Sequence, residues 1–163
     1  MAALAVEERL YRPGPKRVLA LDAGYARTAL QLGLLSELER QLERRSGQPG
    51  LRLSGYFDLI GGVSLGAVVA ASLALGRSVA DAFQTLREAM SRGTTGAARG
   101  ASRGRLDLER LEQILKRDFG EVELGGAGLK TGLAGFTRRL EASAHLVFTN
   151  APRAQAWVGA DGV

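Results

Sequence analysis

Residues 57–66 read Phe-Asp-Leu-Ile-Gly-Gly-Val-Ser-Leu-Gly, an apolar run that passes directly into a G-x-S-x-G motif. The stretch Leu65–Leu75 that follows is rich in Ala, Val and Leu, which predicts a buried helix. A strand, a tight turn and a helix in this order form a nucleophile elbow, in which the serine hydroxyl is exposed on a strained turn. Backbone N–H groups and the helix dipole at that position stabilise a developing oxyanion. The pattern makes Ser64 a candidate nucleophile, and the alternative is a small-residue turn without chemistry.

The same region could also be considered as a membrane span. Leu59–Gly76 has no charged side chain, and its length is close to the lower limit for a spanning helix. Three glycines and a serine lie in its first half, and each glycine lowers helix propensity by about 1 kcal/mol relative to alanine. We therefore predict a buried strand over Tyr56–Ile60, then a tight turn and a buried helix.

The flanking sequence alternates strand and helix patterns. Arg17–Asp22 is a short apolar run with a polar end, which is typical of a buried parallel strand. Thr131–Phe136 and His145–Phe148 also predict strands. Leucines at helical spacing predict an amphipathic helix after Gly24, at positions 30, 34, 35, 38 and 42. This order predicts an α/β fold with a mainly parallel sheet over residues 16–163, preceded by an N-terminal arm at 1–15.

Two further helices are predicted in the middle of the chain. Ser78 and Asp81 form a capping pattern before the first of them. Asp107 caps the second, which has Leu108, Leu111 and Leu115 on one face. Between the two helices, Ser91–Arg105 is rich in Gly, Ser, Thr and Arg, has no acidic residue, and predicts a mobile loop.

The composition limits the chemistry. The chain of 163 residues has no Cys and one His, so a thiolate nucleophile, a Cys-based zinc site and a His-rich metal site are excluded. We expect no metal and no organic cofactor. The net charge of +5 favours anionic partners such as phospholipid headgroups, while no nucleic-acid-binding motif is present. A separate hypothesis is a basic interaction protein that uses the arginines of the predicted loop, at positions 92, 99, 103 and 105.

A serine nucleophile needs a base, and the residues leave two options open. His145 is the only imidazole, and Asp107 or Asp118 could be the acid of a Ser-Asp-His triad. His145 falls inside a predicted strand, however, where a structural histidine is common. The other option is a carboxylate that acts directly as the base.

The sequence resembles the patatin-like phospholipase family. The first similar segment is Arg17-Val-Leu-Ala-Leu-Asp-Ala-Gly-Tyr-Ala-Arg-Thr28, where the family has a strand leading into D-G-G-G-x-R-G. The second is residues 57–66, which match an elbow of the form F-D-L-I-x-G-T-S-x-G. Weaker likeness continues through Leu129–Ala134 to Phe148–Pro152.

The resemblance implies a three-layer α/β/α fold and a lipid acyl hydrolase with a Ser-Asp dyad. Ser64 would be the nucleophile and Asp161, in the only Asp-Gly dipeptide of the chain, the base. Backbone N–H groups of the loop after the first strand would form the oxyanion hole. The residues implied are Ala23, Gly24 and Tyr25 for the oxyanion hole, Gly62 and Gly66 for the elbow, and Asp22 and Arg27 as anchors of the loop.

The sequence departs from the family pattern at two places. Ala23, Tyr25 and Thr28 stand where the family has glycine, and a side chain there restricts backbone conformation and approach to substrate. Asp161 also follows the serine sooner than the family's base does, so we expect a truncated or divergent member. The alternative function is therefore a catalytically impaired remnant that acts as a binding or interaction module.

We expect the substrate to be a phospholipid or another lipid ester at a membrane surface. Glu7, Glu8 and Arg9 interrupt the apolar N-terminus, so no export signal is predicted. The expected location is the cytoplasm, with peripheral membrane association. An incomplete α/β layer exposes apolar surface, which also makes homo-oligomers an expectation.

Overall fold

The structure, a computed structural model, describes residues 2–22, 25–91, 108–138 and 145–154. Within these ranges the elements follow in the order α1 (Ala2–Tyr11), β1 (Val18–Leu21), α2 (Tyr25–Ser46), α3 (Leu53–Tyr56), β2 (Leu59–Val63), α4 (Leu65–Ala74), α5 (Val79–Ser91), α6 (Leu108–Phe119), β3 (Gly132–Arg138) and β4 (His145–Thr149).

The described strands form one mixed sheet in the order β1-β2-β3-β4. β1, β2 and β3 are parallel, and β4 is antiparallel to β3. Leu21 pairs with Gly62, and Val63 pairs with Phe136, so the carboxyl ends of the three parallel strands meet at one edge of the sheet. The mainly parallel α/β fold predicted from the sequence is confirmed.

Helices lie on both faces of the sheet. α4 packs across the three parallel strands, and α5 packs on α4 and α2. The core on this face is apolar, and its fully buried members include Ile60, Leu73 and Val79. α1 lies on the opposite face, since a Cβ on Gly132 would come within 2.7 Å of a methyl group of Leu10. The described elements therefore form three layers, and the layer that contains α1 is the thinner one.

Part of the face that carries α1 is open. α1 buries Val6 and covers the amino ends of β2 and β3. Towards the carboxyl edge, Val63, Phe136 and Val147 are 40%, 50% and 37% exposed. Because Phe136 pairs with both Val63 and Val147, the three form one apolar row across neighbouring strands. We call this row the open-face row.

An ion pair attaches α1 to the amino end of β2. Arg9 Nε donates to Asp58 Oδ1 at 3.1 Å, and its two other nitrogens donate to the carbonyls of Ser54 and Gly55. The other oxygen of Asp58 accepts the Arg17 N–H at 2.9 Å. Asp58 is 2% exposed, so this buried carboxylate holds α1, β1 and the start of β2 together.

This anchor explains a correction to the predicted strand over Tyr56–Ile60. Tyr56 ends the short helix α3, and the strand is Leu59–Val63, so it includes both glycines that the sequence had suggested as a turn. Leu53 is fully buried, and the Arg9 guanidinium binds the carbonyls of α3. These contacts come from another part of the chain, and they override the local preference for a strand.

The predicted apolar face of α2 is corrected for two of its five leucines, while the other three, at positions 35, 38 and 42, lie in or pack against the core. Leu30 and Leu34 are 66% and 65% exposed, whereas Leu32 and Leu35 are buried. The buried stripe begins at Thr28, which is 1% exposed, and continues at intervals of three and four residues. Thr28 therefore belongs to the buried face, and the two exposed leucines lie on the other side of the helix.

Other predictions can be compared directly with the structure. The capping pattern before α5 is confirmed, because Ser78 Oγ accepts the Asp81 N–H at 3.1 Å and donates to Asp81 Oδ2 at 2.6 Å. The predicted arm at 1–15 contains helix α1, and the domain division itself stays a prediction. Among the described residues, no helix is long and apolar enough to span a membrane. The predicted basic loop after Ser91 and Asp107 lie outside the described residues.

Candidate active site

Ser64 lies in a strained turn between β2 and α4. Its φ is 54° and its ψ is −126°. Among the described residues, Ser64 is the only one other than glycine that has a positive φ. Such a conformation costs of order 1–3 kcal/mol in a residue with a Cβ. Ser64 is also exposed, and although it occupies the N-cap of α4 its side chain makes no capping hydrogen bond. The hydroxyl is therefore presented to solvent at the carboxyl edge of the sheet.

The two flanking glycines allow the chain to turn this tightly. A Cβ on Gly62 would lie 2.3 Å from the carbonyl oxygen of Gly66, and a Cβ on Gly66 would lie 2.6 Å from the carbonyl oxygen of Leu21. Both clashes are with backbone atoms, which cannot rotate away. Gly62 lets α4 start directly above β2, and Gly66 lets α4 approach the end of β1. The G-x-S-x-G spacing is thus required by packing.

The end of β1 is brought beside this elbow. The carbonyl oxygen of Asp22 would be 2.7 Å from a Cβ on Gly66, so the loop that leaves β1 begins next to the first turn of α4. Arg27 Nη1 lies 3.1 Å from Asp22 Oδ2, an exposed ion pair that brackets residues 23–24. The two residues expected to anchor the loop are therefore in contact across it.

Several residues implied by the resemblance fall outside the description. Ala23 and Gly24 lie outside the described residues, as does Asp161. Tyr25 is the first residue of α2. The oxyanion and base assignments therefore stay predictions, as do the roles assigned to Ser64, Gly62 and Gly66.

Of the two candidate acids of the alternative triad, Asp118 is engaged elsewhere, and Asp107 lies outside the described residues. Asp118 accepts a hydrogen bond from Thr85 Oγ1 at 2.6 Å and pairs with Arg117, which in turn pairs with Glu88. The hydrogen bond from Arg117 is the main reason that the pKa of Asp118 lies below its usual range. Burial raises this pKa, and the hydrogen bond from Thr85 lowers it further. This carboxylate joins α5 to α6. His145 begins β4, in register with Arg138.

The open-face row adds a feature that sequence analysis missed. Val63 precedes Ser64 directly, and Phe136 is its partner on β3, so exposed apolar surface borders the elbow. An alternation of apolar and small residues along β3 could have indicated a face left partly open. No cluster of three or more metal-binding side chains is found in the described ranges.

Comparison with known proteins identifies the family. The sequence model described as Patatin-like phospholipase matches residues 19–155, which is most of the chain and includes both the loop after β1 and the Ser64 elbow. This chain belongs to the patatin-like phospholipase family. The patatin domain explains the three-layer α/β/α architecture that the resemblance implied.

Individual relatives match a shorter stretch. A cGAMP-activated phospholipase of Vibrio cholerae is 39% identical over 72 residues, which is 44% of this chain and 20% of the relative. A cGAMP-activated phospholipase of Escherichia coli is 42% identical over 62 residues, 38% of this chain and 17% of the relative. Patatin-like protein 1 of Oryza sativa subsp. indica is 39% identical over 75 residues, 45% of this chain and 18% of the relative. The matched part of the patatin domain spans about a fifth of these relatives.

Proposed function

We propose that this chain is a serine acyl hydrolase that cleaves lipid esters through Ser64, with Asp161 as the general base. The observation that carries the proposal is the conformation of Ser64, which is exposed and has a positive φ in the turn at the N-terminus of α4. A residue with a Cβ persists in such a conformation only where the surroundings enforce it, and such positions cluster at active sites. Membership of a phospholipase family supports a lipid ester as the substrate class.

The proposed reaction has two steps. Ser64 Oγ attacks the ester carbonyl carbon while its proton passes to the Asp161 carboxylate, and a tetrahedral oxyanion forms. The carbon–oxygen bond to the alcohol breaks, and the alcohol takes the proton from Asp161. Water, deprotonated by the same carboxylate, then attacks the carbonyl carbon of the acyl-serine ester. The bond from that carbon to Ser64 Oγ breaks, Asp161 returns the proton to Ser64 Oγ, and the fatty acid leaves.

The oxyanion would be stabilised from two directions. The first turn of α4 directs backbone N–H groups and the positive end of its dipole towards the elbow. The loop at Ala23, Gly24 and Tyr25 would donate further N–H groups, since the loop begins beside Gly66. Loss of one such donor typically costs about 2.7–4 kcal/mol of transition-state stabilisation, so Ala23 and Tyr25 bear directly on the rate.

The tether to Asp161 is long enough for the proposed dyad. Asn150 binds Leu133 N and Thr131 O at the amino end of β3, and the chain is described as far as Ala154. Asp161 is seven residue steps after Ala154 (161 − 154 = 7), and extended chain spans at most about 3.3–3.6 Å per step, or roughly 25 Å in all. The parallel strands are shorter than this, so Asp161 can reach the edge that holds Ser64.

Phospholipid hydrolysis, measured as the release of fatty acid, tests the proposal. We expect Ser64→Ala to lose at least about 10³-fold in rate, because no other group replaces the nucleophile. Ser36→Ala, an exposed serine on α2, is the matched control and should behave like wild type. Equal hydrolysis by wild type and Ser64→Ala would disprove the function. If Asp161→Asn hydrolyses at the wild-type rate, Asp161 is not the base although Ser64 can still be the nucleophile.

A second candidate is a patatin-like binding module without hydrolysis. It is favoured by Ala23 and Tyr25, which place side chains where the family has the glycines of its oxyanion loop. Under this alternative, folded wild-type protein binds lipid but releases no fatty acid. The cyclic dinucleotide activators in the names of the bacterial relatives belong to those proteins. Our proposal for this chain concerns the hydrolytic centre alone.

A further inference from the structure

Two leucines on α2 form a second apolar surface that the core does not use. Leu30 and Leu34 are 66% and 65% exposed, the highest values among the large apolar side chains of the described residues. They are four residues apart, so they lie one turn apart on the same side of the helix. The buried side of α2 is occupied by Leu32 and Leu35, so packing of the helix does not require them.

The residues beside the two leucines include small, exposed ones. Gly33 lies between them, and a Cβ on it would meet nothing within 4 Å. Ala29 is also exposed. We call Leu30 and Leu34 the α2 leucine pair. Burial of an exposed leucine is worth enough to change a binding constant by about tenfold or more, so the pair is a substantial potential contact.

The pair is close to the site. α2 begins at Tyr25, directly after the loop that leaves β1 beside Gly66. At about 1.5 Å per residue, Leu30 and Leu34 are roughly 7 and 13 Å along the helix from that end. The pair therefore lies within about two and a half turns of the end of α2 that follows the loop beside the elbow.

Charge distinguishes between two possible occupants. The chain has a formal net charge of +5, so a second copy would meet a like-charged molecule. An anionic lipid surface is complementary in charge to the molecule as a whole. α2 itself carries four arginines against three glutamates, and Arg44 pairs with Glu37, so Arg45 is the basic side chain that its last turn adds. Apolar side chains near basic residues are the combination by which a helix lies on an anionic bilayer.

We propose that the α2 leucine pair inserts into the surface of an anionic bilayer and seats Ser64 at the lipid. The inference rests on the proposed function, which makes a lipid the substrate. It adds the surface of the protein that contacts the lipid bilayer. It predicts that the pair governs action on vesicles and has no part in the hydrolysis of a dissolved ester.

Binding is best measured in the Ser64→Ala background, where the vesicles stay intact. The probe is large vesicles of phosphatidylcholine with about one third phosphatidylglycerol, sedimented with the protein. Leu30→Gln/Leu34→Gln should lower the partition coefficient about tenfold or more. Val18→Thr is the control, because Val18 is 57% exposed but lies at the amino end of β1, and it should stay within about twofold of its parent. Pure phosphatidylcholine vesicles, or added salt, should weaken binding of the parent.

The remaining outcomes separate this inference from the proposed function. If the double variant binds as tightly as its parent, or if Val18→Thr loses as much, the inference is overturned. If the leucine changes instead dissociate a dimer without changing vesicle binding, the occupant is a second copy and the inference is also overturned. Ester hydrolysis in solution by wild type is measured alongside. If that activity is missing while the leucine-dependent binding persists, the hydrolase proposal fails and the membrane surface stands.

Discussion

The two ends of β2 are built in opposite ways. At the amino end, Asp58 is buried and both carboxylate oxygens are bonded, to Arg9 and to the Arg17 N–H. At the carboxyl end, Ser64 is exposed, has a positive φ and makes no capping hydrogen bond. One end fixes three elements together, and the other holds a polar group in a conformation of high energy. The comparison separates a residue that stabilises the fold from a residue whose costly conformation has to be maintained by the packing around it.

The largest expected effect comes from a methyl group inside the elbow. Gly62→Ala places a Cβ 2.3 Å from the Gly66 carbonyl oxygen, and backbone must move to relieve it. We expect a loss of about 3 kcal/mol or more in the free energy of unfolding, together with loss of hydrolysis. Urea denaturation measures the loss in the free energy of unfolding. Gly55→Ala is the control, since its Cβ would meet nothing within 4 Å. If Gly62→Ala is as stable as Gly55→Ala, the packing argument is contradicted.

Removal of the Asp58 charge at the amino end of β2 should lower the stability of the fold but leave the rate of hydrolysis unchanged. Asp58→Asn leaves the Arg9 guanidinium without its carboxylate, which we expect to cost about 2–4 kcal/mol in the free energy of unfolding. The folded fraction of this variant should hydrolyse ester at the wild-type rate, because Asp58 and Ser64 lie at opposite ends of β2. Glu37→Gln, which breaks an exposed pair with Arg40, should cost less than about 1 kcal/mol. Equal destabilisation by the two changes would refute the assigned importance of Asp58.

The Asp58 contribution should also depend on pH. Burial raises the pKa of Asp58, but the Arg17 N–H and the Arg9 guanidinium outweigh it, and the pKa is held below the usual 3.8. A carboxyl with a lowered pKa in the folded state adds stability above its unfolded pKa and loses it as the pH falls through the folded pKa. The difference in stability between wild type and Asp58→Asn should therefore shrink below about pH 3.8. A difference that stays constant into that range would be inconsistent with an ionised Asp58.

The smallest expected effect is a gain in stability at the elbow. Ser64→Gly removes the Cβ that makes a φ of 54° costly, whereas Ser64→Ala retains it. Both variants should be inactive, but Ser64→Gly should be more stable than Ser64→Ala by about 1 kcal/mol. Thermal unfolding of the two proteins measures the difference. Equal stability would mean that the turn carries no strain.

The sequence was most informative where structure depends on neighbours in the chain. The apolar run at Arg17–Asp22 and the helix after Ser64 correspond to β1 and α4, and the capping pattern at Ser78 corresponds to the start of α5. The elbow was also predictable, since its glycines and serine are adjacent in sequence. Local patterns sufficed because the close contacts of Gly62 are with α4, only four residues away.

Contacts between distant segments were not predictable in the same way. α3 replaces the start of the predicted strand because Arg9, about 45 residues earlier, binds its carbonyls. The leucines of α2 fit more than one helical stripe, and only packing against α5 and the rest of the core selects Leu32 over Leu30. The base presents the same difficulty, because Asp161 lies almost a hundred residues after Ser64 in the chain (161 − 64 = 97). The proposed base therefore depends on family resemblance, whereas the turn that holds Ser64 is described directly.

Labelling of the folded protein with a fluorophosphonate probe tests the central claim most directly. Such a probe bonds to a serine only where the hydroxyl is activated and an oxyanion is stabilised. We predict that wild type is labelled on Ser64 and that Ser64→Ala is not labelled, with peptide mapping to locate the adduct. Absence of label in folded wild type, or equal label in Ser64→Ala, would contradict the claim that the strained elbow is a working nucleophile.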